Sequence, residues 1–150
     1  MSAGPADGGG ACAGCAKVAE ALAGRDPWLI AVLPHSVLLL GEHQAFEGYA
    51  VLWSRAHVKE LHHMDSAAYA GFMADLKRAS QAVECATGCV KLNTVSLGNV
   101  VRHAHVHLFP RAEGEPDLLR HPWVHEERFK EAGAADLRLR WLRKLQEALA

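Results

Sequence analysis

The sequence predicts an α+β domain: a largely antiparallel five-stranded sheet with one long helix and a C-terminal helix. Three observations carry that expectation. Five short runs, Trp28–Leu33, Ser36–Leu40, Gly48–Trp53, Lys91–Val95 and Arg102–Phe109, have strand length and strand composition. Most are joined by short links. A single long stripe of helical period lies between the third and fourth runs, as an α+β arrangement requires.

Each element has its own signal. Met1 to Gly10 is Gly, Ala and Pro with one Asp, so residues 1–11 are expected to be a flexible tail. Cys15 to Ala23 can form a short helix before the Gly24, Asp26, Pro27 break. Pro34 and Gly41 separate the first three strands. Asp65 or Ser66 can cap the long helix, whose apolar stripe is Tyr69, Phe72, Met73, Leu76, Ala79 and Val83, and Gly88 ends it. A turn at Gly98-Asn99 precedes the last strand. After Pro110 comes a loop with Gly114, Pro116 and Pro122. Leu137, Trp141, Leu142, Leu145 and Leu149 then mark an amphipathic C-terminal helix.

Length and composition narrow the function. At 150 residues the chain is sized for one domain, here 12–150, and can bury a core without disulfides. Half the residues are hydrophobic and 22% are charged, which excludes a disordered or fibrous chain. The net charge of -1 argues against a nucleic-acid binder. No apolar run approaches the roughly 20 residues of a membrane span. The first sixteen residues hold no Lys or Arg, so no secretory signal is expected and the location expected is cytoplasmic. There, the four cysteines are expected as free thiols or metal ligands. The unusual count is histidine, at ten.

Three of those histidines fall in the run Arg102-His103-Ala104-His105-Val106-His107-Leu108-Phe109. Successive strand side chains alternate faces, so His103, His105 and His107 share one face while Ala104, Val106 and Leu108 pack on the core. Histidine is not a favoured strand residue, and three in alternation are not an accident of a half-exposed strand. Aligned imidazoles suit either a metal site or covalent phosphoryl chemistry. The Gly98-Asn99 turn favours the second, because backbone N–H groups and an amide there can hold phosphate oxygens. No Asp or Glu closely accompanies the three histidines, as many catalytic zinc sites would require.

His103-Ala104-His105-Val106-His107-Leu108-Phe109 resembles the signature of the histidine triad (HIT) superfamily. The likeness extends to Lys91-Leu92-Asn93, Leu97-Gly98-Asn99-Val100-Val101, Phe109-Pro110-Arg111, Phe46 to Leu52 and Arg55 to Val58, roughly residues 12 to 125. It is nearest to bacterial HIT proteins of the diadenosine polyphosphate hydrolase-like type. The resemblance implies a HIT-like fold and a homodimer. It also implies a nucleotide hydrolase or transferase that forms a nucleotidyl-histidine intermediate on dinucleoside polyphosphates, nucleoside phosphoramidates or adenylates. His105 would attack the α-phosphorus. His107 would bind the phosphate and assist the leaving group, and His103 completes the catalytic set. Asn93, Gly98, Asn99 and Val100 would contact substrate, although Asn93 also suits a plain strand-edge hydrogen bond and Gly98 a plain turn. His43, beside Glu42, stands where relatives place an acidic ribose-binding residue, and Arg102 where relatives often carry Pro. Trp123 suits either a cover over the substrate or simple packing.

Cys12-x-x-Cys15 has the spacing of half of a zinc site, a pattern that an Ala-rich stretch can also produce by drift, and zinc needs two more ligands. In zinc-bearing HIT proteins the other two ligands resemble His57 and His103, which implies structural zinc on Cys12, Cys15, His57 and His103, with no organic cofactor. The competing set is Cys12, Cys15, Cys85 and Cys89, the last two otherwise being small buried hydrophobes. Two other functions compete with the enzyme: a nucleotide-binding regulatory module with little turnover, and a hydrolase whose three histidines hold a catalytic ion.

Overall fold

The computed structural model describes residues 11–150, so all but the last residue of the expected tail lies outside the described residues. Strands β1 (Leu29–Val32), β2 (Ser36–Leu40), β3 (Ala50–Ser54), β4 (Lys91–Val95) and β5 (His105–Arg111) form one sheet. The order is β1-β2-β3-β5-β4, with every neighbouring pair antiparallel. Helix α1 (Ala13–Leu22) precedes the sheet, α2 (Ser66–Thr87) joins β3 to β4, and α3 (Ala135–Leu149) closes the chain. This is the fold class that the sequence predicts.

The sheet is covered on both faces, and strand alternation sorts its side chains into two cores. Leu38, Leu40, Ala50, Leu52, Val106 and Leu108 meet Phe72, Ala79 and Val83 of α2 and Trp141, Leu142 and Leu145 of α3. Val37, Leu39, Val51, Trp53 and Phe109 face the other way, against Val18 and Ala21 of α1 with Phe46 and Tyr49. Burial on both faces explains why β2 and β3 read as nearly continuous apolar runs rather than as alternation. On β5 the expected split holds: Val106 and Leu108 enter the first core, and His105 and His107 lie on the opposite face.

The element ends differ from expectation for physical reasons. Helix α1 starts at Ala13, two residues early, because Cys12 caps it: its Sγ accepts from the Cys15 N–H at 3.4 Å. Strand β5 begins at His105 rather than Arg102. The Ala104 N–H instead donates to Val58 O (2.7 Å), and the Ser54 N–H donates to Ala104 O (3.0 Å). The strand also runs through Pro110 to Arg111. Arg111 O accepts from Val90 N on the β4 side, so the Pro110 nitrogen faces the β3 side, where the ladder has already ended at Ala50. In α2, Asp65 caps (its Oδ1 accepts from Ala68 N at 2.8 Å) and Gly88 terminates with φ +64°. Of its expected stripe, Tyr69 and Met73 are exposed, while Asp75 is buried in their stead. Cys85, expected to be buried, is exposed, and Cys89 is half-buried. Among the described residues no helix is long and apolar enough to cross a membrane.

Asp75 has a specific use. Its Oδ2 accepts from the His35 backbone N–H (2.8 Å) and the Ser36 hydroxyl (2.7 Å), tying α2 to the start of β2. Replacing it with Ala strands the buried Ser36 hydroxyl and the partly buried His35 N–H. Asp75→Ala is expected to lose about 2–3 kcal/mol of stability, the range for hydrogen bonds to a charged group. Urea denaturation should show the loss as a shifted midpoint at an unchanged slope.

Candidate active site and metal centre

The register of β3 on β5 builds the site. Trp53 lies opposite His105 and Val51 opposite His107, and directly opposed residues share a face. The His105 ring stacks on Trp53 with centroids 4.3 Å apart and planes 20° from parallel. Its Nδ1–H donates to the backbone carbonyl of His103 at 2.6 Å. A carbonyl can only accept, so the proton sits on Nδ1 and Nε2 keeps its lone pair. On His107, Nδ1 is 2.6 Å from the Tyr49 hydroxyl. Burial, then the neighbouring His105 and His43, pushes the pKa of His107 down to about 4.

His105 and His107 lie on the wall of a cleft of about 720 Å³. The backbone around Gly98, Asn99 and Val100 forms one rim; Gly98 sits at φ +69° and Val100 is almost fully exposed. Leu39 of β2, then Trp28 at the entrance to β1, carry the cleft away from β5. Three inter-strand steps of about 4.8 Å separate β5 from β1, so the cleft crosses roughly 14 Å of sheet, the length of an extended mononucleotide. At the Trp28 end, the Arg138 guanidinium lies over the indole at 3.7 Å. His43 and Glu42 also line the cleft. The buried His43 ring stacks on Tyr49 (4.3 Å) and Phe129 (4.2 Å), and burial followed by Arg128 holds its pKa down at about 4.

Two expected site residues stand elsewhere. Asn93 is on the same face of the sheet, opposite Phe109, but its Oδ1 accepts from Arg111 Nη1 at 2.8 Å and it does not line the cleft. That is the strand-edge hydrogen bond left open as its alternative. The partner, Arg111, is fully buried and also binds Glu115, Arg120 O and Asp117 O, folding the loop after β5 back on itself. His103 does not reach the cleft either. Its Nε2–H donates to Ser54 O (2.7 Å), and its Nδ1 points away, toward α1. Tyr49, Trp53, Trp28 and Arg138 are cleft residues that sequence reasoning missed. For the first two the signal was present: alternation from Tyr49 into β3 puts Tyr49, Val51 and Trp53 on the histidine face once β3 is paired with β5. Trp123, by contrast, does line the cleft, edge-on to His107.

Behind His103 lies a second cluster. Cys12, Cys15, His57 and His103 converge so that one ligand atom from each lies within 4.8 Å of the others. Cys15 Sγ is 3.2 Å from His57 Nδ1, both cysteine sulfurs are 3.6 Å from His103 Nδ1, and the two Nδ1 atoms are 3.4 Å apart. Zinc with Zn–N of about 2.0–2.1 Å and Zn–S of about 2.3 Å needs tetrahedron edges of about 3.3 Å (N–N) and about 3.6 Å (N–S), so the donors fit a zinc ion. The Ser54 carbonyl fixes the His103 tautomer with a lone pair on Nδ1, as a ligand requires. The four-cysteine alternative fails, since Cys85 in the last turn of α2 and Cys89 just beyond the helix take no part in the cluster.

Gly14, between the two cysteines, is fitted to this cluster. A Cβ there would lie 2.5 Å from both Cβ and Cγ of His103. Gly14→Ala is therefore expected to cost about 1–3 kcal/mol, as overpacking does, and to lower metal retention. Thermal denaturation with metal analysis after dialysis checks both.

The buried histidines set a pH dependence. His43 and His107 titrate at about 4 in the folded chain, against a usual 6.5. Above pH 6.5 both states are neutral there, and their contribution is fully present. As pH falls from 6.5 toward 4 the unfolded chain binds protons that the folded chain refuses, so stability declines. A melting temperature that falls steadily from pH 7 to pH 4 is expected, and a flat profile would contradict these environments.

No curated protein matches the sequence. Solved structures do. A histidine triad protein from Bradyrhizobium japonicum is 28% identical, with 81% of this chain and 90% of that one covered at a TM-score of 0.72. A histidine triad protein from Sinorhizobium meliloti is 24% identical, covering 84% and 92% at 0.71, and shares the fold. So does a zinc-bound histidine triad family protein from Mycobacterium smegmatis, at 20% identity, 93% of each chain and 0.67. The HIT domain model matches residues 28–114, more than half the chain and the whole of the sheet that carries His105 and His107. By that match the chain belongs to the HIT domain family, a superfamily of nucleotide-binding proteins and hydrolases.

Proposed function

We propose that the protein is a nucleotide hydrolase or transferase that acts at an α-phosphate through a nucleotidyl intermediate on His105, with residues 12–150 as one working domain. The observation that carries this is the Nδ1–H bond of His105 to the His103 carbonyl, which leaves the Nε2 lone pair as a nucleophile on the wall of a nucleotide-length cleft. Attack forms the P–Nε2 bond as the bond to the leaving group breaks. The imidazolium that results keeps its Nδ1 proton on the carbonyl, which stabilises it. Water then cleaves P–N and releases a nucleoside monophosphate, its proton passing to solvent.

The surroundings suit that chemistry. The N–H groups and amide of the Gly98–Asn99 turn would hold the phosphate oxygens, with His107 beside them. Stacking on Trp53 limits rotation of the His105 ring, which fixes the line of attack. Cys12, Cys15, His57 and His103 would hold a zinc ion that supplies structural cross-linking of α1 to the segment before β5. Four protein donors would fill the positions of a tetrahedral ion and leave none for water, which speaks against a hydrolytic metal at this centre. Strand β4 ends the sheet and offers its outer edge to a second copy, so the working form is proposed to be a homodimer. A binding module with little turnover would use the same cleft but give no product.

His105→Asn removes the nucleophile while keeping a side chain that can reach the His103 carbonyl. It is expected to lower kcat on the order of 10³-fold or more with the fold intact, whereas the wild type, quenched in acid-free denaturant during turnover, carries a nucleotidyl adduct on His105 by mass spectrometry. Product analysis over adenosine and guanosine polyphosphates and phosphoramidates sets the comparison. Full activity of His105→Asn on every nucleotide would overturn the mechanism. Binding without product would favour the module.

A further inference from the structure

The Tyr49 hydroxyl has one hydrogen-bond partner among the described residues, His107 Nδ1 at 2.6 Å. The tyrosine is 5% exposed, and its ring packs against His43 (4.3 Å) and Phe109 (4.5 Å). Gly41 makes room for it: a Cβ there would lie 2.0 Å from Tyr49 Cδ1. Burial raises the phenol's pKa, so the hydroxyl stays protonated. A buried hydroxyl proton needs an acceptor, and His107 Nδ1 is the one in reach. The Tyr49 hydroxyl therefore donates to Nδ1, which must carry a lone pair. A neutral imidazole then has its proton on Nε2, the nitrogen left for the cleft.

The two histidines thus present opposite tautomers. His105 has Nδ1–H and an Nε2 lone pair; His107 has an Nδ1 lone pair and Nε2–H. The titratable groups that face His107 are His105 on its own strand, His43 from the loop after β2 and Tyr49, the residue just before β3. None is an acid whose charge would favour an imidazolium.

We propose that Tyr49 is a positioning residue that fixes His107 as a neutral Nε2–H donor, and that this makes the site selective for phosphoanhydrides over phosphoramidates. The inference rests on the proposed attack by His105. In a phosphoanhydride the P–O bond breaks with its electron pair going to a phosphate oxygen. That oxygen is already stable as an anion and needs only a hydrogen bond, which a neutral Nε2–H supplies without losing its proton. In an alkyl phosphoramidate the P–N bond breaks toward an amine, and the nitrogen must gain a proton before or during departure. A neutral imidazole does not give up its N–H, so only an imidazolium could serve as the acid, and the Tyr49 bond occupies the atom that would take the extra proton.

The test joins a spectroscopic readout to a kinetic one. In long-range proton–nitrogen NMR of the full chain, His107 is expected as the Nε2–H tautomer from pH 5.5 to 8, and as a mixture in Tyr49→Phe. Turnover of diadenosine tetraphosphate is compared with that of an N-ethyl phosphoramidate of adenosine monophosphate. At pH 7.5 kcat/KM should favour the anhydride by about 100-fold, the lower end of what a general acid contributes, and Tyr49→Phe should narrow that ratio by about 10-fold. An Nδ1–H tautomer in the wild type, or equal turnover of the two substrates, overturns the proposal. Turnover of neither overturns the proposed function and the selectivity with it, while the tautomer is still decided by NMR. Should Tyr49→Phe fail to fold, the wild-type tautomer and ratio decide alone.

Discussion

The site depends on how His103 is held. Its ring and its backbone act in different directions. Nε2–H is bound to Ser54 O at the end of β3, Nδ1 turns toward Cys12 and Cys15 at the start of α1, and the carbonyl accepts from His105. One residue thereby joins the helix, the central strand and the proposed nucleophile. Because His103 is fully buried, those bonds form in a low-dielectric setting, where in the proposed reaction the charge developing on His105 would gain more from a fixed carbonyl than it would in water. Its neighbour Ala104 exchanges backbone bonds with Val58 and Ser54, so the segment is fixed without being part of the regular ladder.

Around that anchor the two faces of the sheet have separate duties. The face against α2 and α3 is an apolar core of the ordinary kind, with Phe72, Val83 and Leu145 fully buried. The other face is built largely of rings: Phe46, Tyr49, Trp53 and Phe109 with His43, His105 and His107. Flat side chains stacked in near-parallel pairs have few rotamers to lose, which suits a wall that must present nitrogen atoms at fixed places. Buried Arg111 extends this order beyond the sheet by gathering the loop carbonyls of Asp117 and Arg120, and so leads the chain toward Trp123 at the cleft.

Most of the fold was legible because its elements carry strong local signals: the caps at Asp65 and Gly88, the Gly98-Asn99 turn, and the alternation of histidine with apolar residues. The family likeness brought Cys12, Cys15, His57 and His103 into one group, and the structure gathers those four. What stayed hidden is long-range or relational. Asn93 looks alike whether it faces a ligand or Arg111, and only the register Asn93 opposite Phe109 with Arg111 two residues on decides which. Tyr49 and Trp53 read as strand hydrophobes until β3 is set beside β5. Asp75 interrupts a helical stripe, and its reason, two donors at the start of β2, lies 39 residues away in the chain. Strict alternation alone made the three histidines equivalent, and it was the family likeness that gave them separate parts, with His103 in the metal cluster. The strand starts only at His105, and the departure from regular pairing turns His103 away from the cleft.

The cleft's charge, finally, follows from burial rather than from composition. His43 and His107 are neutral near pH 7, and the net charge of the chain is -1, so neither these imidazoles nor the overall charge draws in a polyphosphate. A phosphate at His105 would instead be met by N–H dipoles from the 97–101 backbone and from His107, with the cations Lys17 and Arg138 among the other cleft residues. Fixed dipoles need little reorganisation as charge shifts from the α-phosphorus oxygens to the leaving group, whereas a nearby cation would bind the more highly charged ground state at least as tightly. In the proposed reaction, oriented N–H donors would therefore favour the charge distribution of bond breaking over simple retention of an anion.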